Sequence, residues 1–176
     1  KDILPHVVDH HNALAHDFSR SCIFMSGSDE PYWRDVGTLD AYYEAVIDLT
    51  TVTPKLDLYD ENWPIWTYQV QRPSAKFVFD DDERRGMSVD SLVSAGCIIS
   101  GAVVRRTCLY NNVRVNSYSI VEDAVVLPDC DIGRHCRLRK VIVYSNCRVP
   151  EGLVVGEDPE ADAKRFHRTE GGVTLI

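Results

Sequence analysis

Residues 97–126 read CIISGAVVRRTCLYNNVRVNSYSIVEDAVV, a rhythm that is neither helical nor that of a simple hairpin. Cys97, Val103, Leu109, Val115 and Val121 stand six apart, and four of the five are aliphatic. The frame then slips by one and continues through Ile120, Val126, Ile132 and Leu138. A third phase runs through Val143, Val149 and Val155. Small residues precede many of these by two positions: Ala95, Gly101, Thr107, Ser119, Cys130, Cys136 and Cys147. A period of six fits a parallel β-helix, in which each short strand turns one aliphatic side chain inward and a small residue rounds the corner. With three hexapeptides to a triangular coil, residues 92–156 make about three and a half coils. An antiparallel all-β domain with coincidental spacing is the competing reading, and the phase slips are its support.

Working outward, the chain before this repeat has a different organisation. Residues 1–50 alternate helix, strand, loop and helix, like the trailing end of an α/β domain. Ile3, Leu4, Val7, Val8 and Leu14 have roughly helical spacing, and Pro5 is tolerable in a first turn. SCIFM (21–25) has strand length. Thr38 is placed to cap a helix whose apolar face is Leu39, Tyr42, Tyr43, Val46, Ile47 and Leu49. Residues 51–86 read as a connector, Pro-containing at first and ending in FVFDDDERRG (77–86), an exposed acidic loop. The repeat domain then occupies 87–176. The first residue, Lys1, suggests a piece of a longer protein.

Composition narrows the function. There is no apolar run of 18 residues, so no membrane partner is expected, and no signal peptide opens the chain. A net charge of −8 argues against nucleic acid. Residues 97–150 nevertheless hold eight Lys/Arg against four Asp/Glu, a local +4 that leaves −12 elsewhere. The six cysteines contain no C-x-x-C and read as reduced, buried residues of a cytoplasmic protein.

Three stretches invite chemistry. In EPYWRDVGT (30–38), Asp35 precedes a Gly-Thr turn and a helix start, where open α/β sheets bind ligands. A carboxylate there suits Mg²⁺, although spacing alone favours a turn cap or an ion pair with Arg34. HVVDH (6–10) resembles a zinc-protease helix motif, but no third ligand is evident and an exposed histidine-rich face is the plainer account. GRHCRLRK (133–140) gathers Arg134, Arg137, Arg139 and Lys140, which suit phosphate binding or a solvated outer face equally. Its single histidine fits neither a hexapeptide acyltransferase nor a zinc hydratase.

Taken together, EPYWRDVGTLDAYYEA, NWPIWTY, PSAKFV, SLVSAGCIISG, RVNSYSIVEDAVVLP and VPEGLVVGE resemble the bacterial ADP-glucose pyrophosphorylases, the glucose-1-phosphate adenylyltransferases. The resemblance runs through essentially all 176 residues, as the C-terminal half of such an enzyme or somewhat less. It implies the end of a Rossmann-like nucleotidyltransferase domain followed by a left-handed parallel β-helix. The implied reaction joins ATP and glucose 1-phosphate to give ADP-glucose and diphosphate for glycogen synthesis. Asp35 would then help hold catalytic Mg²⁺, Trp33 would relay activation, and Gly37 and Thr38 would shape the sugar side.

The resemblance also implies a homotetramer regulated by phosphorylated effectors, typically fructose 1,6-bisphosphate and AMP. Arg137, Arg139, Lys140, Ser145 and Arg148 are the effector candidates, with Ser145 standing where related enzymes often have arginine. The family's Gly-rich, Arg-containing nucleotide loop is not found in these 176 residues, so they are expected to be inactive alone. The alternative is a non-catalytic β-helix module serving assembly or regulation.

Overall fold

The computed structural model describes residues 2–22 and 31–176, which form two compact units, Lys1–Trp33 and Arg34–Ile176. In the first, helix α1 covers Ile3–His10 as the spacing predicts, with Leu14 beyond its end. None of its residues is buried, and His10 Nδ1 hydrogen-bonds the His6 carbonyl at 2.8 Å. A short 3₁₀ turn, Phe18–Arg20, is capped by Asp17. The strand expected at 21–25 lies largely outside the described residues. Among the described residues of 1–50 there is no strand beyond a one-residue bridge at Pro31, so no Rossmann-like sheet is seen there.

The second unit is a solenoid of parallel strands. Val103 pairs with Ile120 and Ile120 with Arg137, a step of 17 residues each time. Arg114, Asp131 and Arg148 repeat the same step on another side. The first coil takes 16 residues, from Met87 to Val103 and from Ile98 to Arg114, and from Val103 onward a coil is two sides of six residues and one of five, not three hexapeptides. That five-residue side is the origin of the phase slips. The inward column runs Ile99, Val104, Leu109, Val115, Val121, Val126, Ile132, Leu138, Val143, Val149 and Val155, all buried. Three positions taken from the period of six are corrected by this register, the first being Cys97, which is buried at a corner while Ile99 fills the column. Val103 is only partly buried, and Ile120, 40% exposed, points away from the core that Val104 and Val121 fill.

The corners explain the spacing. Asn112, Tyr118, Asp123, Asp129, His135, Lys140 and Asn146 all have positive φ, as the chain turns sharply through the left-handed region. Asn, Asp and His tolerate that region best among residues with a side chain, and they fill five of these seven corners. At Asp123 and Lys140 the strand continues round the corner, so Ile120–Val126 and Arg137–Val143 each serve two sides. Small buried residues line the inner corner: Cys97, Ala102, Thr107, Ser119, Ala124, Cys130 and Cys136. Cys97 and Ala102, rather than Ala95 and Gly101, hold this place in the first coils. All six cysteines are free thiols, and burial raises the pKa of Cys97, Cys130 and Cys136.

Helix α2, Leu39–Asp48, covers one side of the solenoid. There the outward column Leu92, Cys108, Val125, Ile142, Leu175 is apolar, which no solvent-facing sheet surface would sustain. Tyr43, Val46, Leu39, Tyr42 and Ile47 pack onto it, and Tyr43 Oη donates to the Asp123 carbonyl at 2.7 Å. Helix α3, Pro159–Arg165, leads to Phe166, which packs with Leu153 and Ile176 against the last coil.

The solenoid begins at Lys76, whose strand Lys76–Val78 pairs with Ile98–Ser100, inside the stretch read from sequence as connector. The offset there is 22 because an exposed hairpin, Asp80–Asp81 with Arg84–Arg85, is inserted. Residues 51–75 carry neither helix nor strand.

Candidate functional site

Two places in the second unit gather functional residue types. The first is the turn ahead of α2. Asp35 Oδ1 accepts the Gly37 N–H at 3.0 Å, which tightens the turn, and Thr38 Oγ1 accepts from Ala41 N–H at 3.1 Å as the N-cap of α2. Arg34 does not pair with Asp35; it reaches Asp48 at 3.4 Å. Asp35 is exposed, and its second oxygen accepts no hydrogen bond among the described residues. Trp33 belongs to the first unit, where it is 75% exposed and meets Phe18 edge-on at 5.8 Å.

The second is the basic strand Arg137–Val143 and what surrounds it. Arg137 is bound to Glu157 through Nε at 2.8 Å and Nη2 at 2.9 Å. Arg139 is far less engaged, with Asp123 at 3.9 Å, because Asp123 is already held by Arg106 at 2.6 and 3.0 Å. Lys140 Nζ donates to the Gly171 carbonyl at 2.7 Å. Arg139, Lys140 and Arg168 line a cleft of about 160 Å³ with Gly156, Pro159, Asp162 and Gly172. Asp162, 1% exposed, is spent internally: Oδ2 accepts the Gly156 N–H at 2.7 Å and Oδ1 accepts from Arg165 at 2.8 Å.

The effector candidates thus do not form one cluster. Arg137, Arg139 and Lys140 share a strand, whereas Arg148 lies in the other sheet, in register with Asp131. Ser145, partly buried, sits in the turn between them. Arg134 lies over the Tyr118 ring at 5.3 Å, and that ring stacks on His135. Sequence reasoning passed over Arg168, Asp162 and the loop 168–172, which lie far along the chain from the strand they join. The one local signal was Asp158-Pro159, a helix-start signature that the structure realises as the cap of α3.

No group of three His, Cys, Asp or Glu placed to hold a metal is present among the described residues. His6 and His10 stack at 4.2 Å rather than opening toward an ion. No described helix is long and apolar enough to cross a membrane.

Comparison with known proteins agrees with this architecture. Residues 73–176 match the family described as GlmU-like, C-terminal hexapeptide. Over 176 residues the chain is 66% identical to a glucose-1-phosphate adenylyltransferase of Paramagnetospirillum magneticum and 65% identical to that of Rhodospirillum rubrum. It is 60% identical to that of Rhizobium meliloti. All of this chain is covered in each case, but only 41%, 42% and 42% of those proteins, so it spans about two-fifths of their length. The parallel coils, the inward aliphatic column and this match converge: the chain belongs to the GlmU-like C-terminal hexapeptide family, with the left-handed parallel β-helix as its fold.

Proposed function

We propose that this chain is the regulatory and assembly part, with one wall of the active site, of a glucose-1-phosphate adenylyltransferase. The whole enzyme would convert ATP and α-D-glucose 1-phosphate to ADP-glucose and diphosphate, supplying glycogen synthesis in the cytoplasm. The observation that carries this reading is the 66% identity along every residue of the chain to an enzyme of that name.

Asp35 fits a Mg²⁺ ligand on its donor chemistry. Mg²⁺ takes one or two carboxylates and completes its shell with water and phosphate oxygens. Asp35 is exposed, with one carboxylate oxygen committed to Gly37 and the other without a hydrogen bond among the described residues. When bound, the ion would supply positive charge to phosphate oxygens as the diphosphate departs. The chain's own contribution is positional. The Gly37 N–H fixes the rotamer of Asp35, and the Thr38 cap fixes the turn to the first turn of α2. A side chain at Gly37 would put a Cβ 3.2 Å from Asp35 Oδ1, crowding the carboxylate. Gly37 and Thr38 would form the sugar-side wall, and Trp33 the relay of activator binding.

Phosphorylated effectors, fructose 1,6-bisphosphate and AMP among them, would bind at the basic strand, with Arg137, Arg139, Lys140, Ser145 and Arg148 as candidates. The test is ADP-glucose formation by the complete polypeptide carrying this sequence. Asp35→Asn keeps an oxygen for the Gly37 N–H and removes the charge. Turnover is expected to fall on the order of 10²–10³-fold, as for loss of one electrostatic contact to the transition state. Near-normal turnover at ordinary Mg²⁺ would refute the metal role, and no ADP-glucose from the unaltered polypeptide would refute the reading itself.

A further inference from the structure

Helix α2 is seated on the solenoid at its first turn by a carboxylate. Asp40, half-buried, has both oxygens engaged by the loop past the last coil. Thr169 Oγ1 donates to Oδ1 at 2.5 Å, and the Gly171 N–H donates to Oδ2 at 3.1 Å. Hydrogen bonds that end on a carboxylate are roughly twice as strong as neutral ones. The loop is shaped for this grip. Thr169 Oγ1 also accepts the Val173 N–H at 3.0 Å, which leaves its own proton for Asp40. A Cβ at residue 171 would stand 2.6 Å from Asp40 Oδ1, so the backbone comes this close only as glycine.

The loop is in turn fixed to the coils. Thr174 and Leu175 pair with Val141 and Ile142, Arg168 pairs back onto Thr174, and Val173 shares a buried cluster with Tyr43 and Val46. On its other side, the turn that carries Asp35 is fastened to α2 at two points. Thr38 accepts the Ala41 N–H through Oγ1 at 3.1 Å and the Tyr42 N–H through its carbonyl at 2.9 Å. Arg34 reaches Asp48, the last residue of the helix, at 3.4 Å. A continuous path of hydrogen bonds therefore runs from the last coil through Thr169 and Asp40 to the Thr38 cap and Asp35.

We propose that Asp40 and Thr169 are positioning residues for the Asp35 turn: the last coil, through this strut, sets where the Asp35 carboxylate stands. The strut itself is independent of the transferase reading, and its role in Mg²⁺ binding rests on that reading. Apolar burial is not directional, so a helix seated by its apolar stripe alone is free to slide and roll. Two hydrogen bonds to one carboxylate fix its height and rotation. Groups that orient a metal ligand weigh nearly as much as the ligand, and their loss typically costs about 10–100-fold in metal affinity or activity.

The experiment pairs Thr169→Val, which keeps the shape and removes the hydroxyl, with Thr169→Ser, which restores it. In the complete polypeptide, without metal or substrate, amide hydrogen exchange at Ala41 and Tyr42 should quicken about tenfold in Thr169→Val, as for loss of one charge-assisted bond. Thr169→Ser should exchange as the unaltered protein does. The Mg²⁺ concentration that half-saturates ADP-glucose formation should rise about tenfold with valine and recover with serine. Asp40→Ala removes the acceptor, and in that background Thr169→Val should add less than about twofold, since the two residues form one contact. Ser117→Ala, which breaks a buried 2.8 Å hydrogen bond to the Ser100 carbonyl elsewhere in the coils, is the control for lost stability. It should leave both measurements within about twofold, as an independent site.

Unchanged exchange in Thr169→Val, no recovery with serine, additive effects of Asp40→Ala and Thr169→Val, or an equal response to Ser117→Ala overturns the strut. Quickened exchange with an unmoved Mg²⁺ requirement overturns the positioning role. Failure of the transferase reading has a separate signature: no ADP-glucose from the unaltered polypeptide, with the exchange effects intact.

Discussion

At the scale of single residues, the chain shows how a side chain's neighbours decide what its chemistry means. Ser88 is in register with Val104, and so continues inward the column that Val104, Val121 and Leu138 fill, yet its hydroxyl is buried without a partner. An unmet buried hydroxyl costs about 1–3 kcal/mol. Ser88→Val should therefore raise stability by about 1 kcal/mol, read as a higher midpoint in urea denaturation with unchanged slope. A lower midpoint would mean that this end of the solenoid has no room for a second methyl. Ser145 carries a functional expectation that follows from the proposed enzyme. An arginine there would add a charge-assisted contact to phosphate, worth roughly 1.5–3 kcal/mol. Ser145→Arg should tighten inhibition of the complete enzyme by AMP; an unchanged or higher inhibition constant would place Ser145 outside the effector pocket. Asp35 was the residue least legible in the sequence alone. Its turn was foreseeable from Asp-Val-Gly-Thr, but a turn-stabilising aspartate and a metal-holding one have the same local pattern. Here one oxygen accepts the Gly37 N–H, and the metal role belongs to the proposed enzyme.

At the scale of elements, the seam between α2 and the solenoid is held by groups that must stay protonated. Burial, with the nearby Asp123 charge, pushes the Tyr43 phenol up to about 12, and burial pushes the Cys108 thiol to about 12. Tyr110, in the same seam, is also raised by burial. A folded pKa above the unfolded one means stability that is complete below the unfolded value and lost as pH climbs through the folded one. The seam should thus hold to about pH 9 and weaken progressively between pH 9 and 12, with Cys108 contributing first and Tyr43 above pH 10. Tyr43→Phe should cost about 1 kcal/mol at neutral pH for the lost bond to the Asp123 carbonyl, and should flatten the alkaline decline. Urea midpoints measured from pH 8 to 11 test this; an equal decline in both proteins would assign it to other groups. The helix itself was readable in advance from its cap and apolar stripe. What it covers was not, because Leu92, Cys108, Val125, Ile142 and Leu175 become one surface only after coiling. The phase slip was the trace of that coiling, since the inward column changes frame at each five-residue side, as between Val121 and Val126.

At the scale of the whole molecule, exposed sheet faces and edges favour association. The side bearing Met87, Val103 and Ile120 is partly or fully open to solvent. The complete enzyme is expected to sediment as a tetramer, and a stable monomer at micromolar concentration would contradict that. The 176 residues alone are expected to form no ADP-glucose, since no Gly-rich nucleotide loop lies within them. Coil number has its own consequence. Helix α2 grips the solenoid at two heights, through Tyr43 at Asp123 and through Asp40 at the loop past the last coil. Neighbouring strands are about 4.8 Å apart, so one additional 17-residue coil between those grips would part them by that distance. No side-chain hydrogen bond spans such a gap. Helix α2 therefore works as a calliper: its fixed jaws admit one number of coils, and a lengthened solenoid could satisfy Tyr43 or Asp40, but not both.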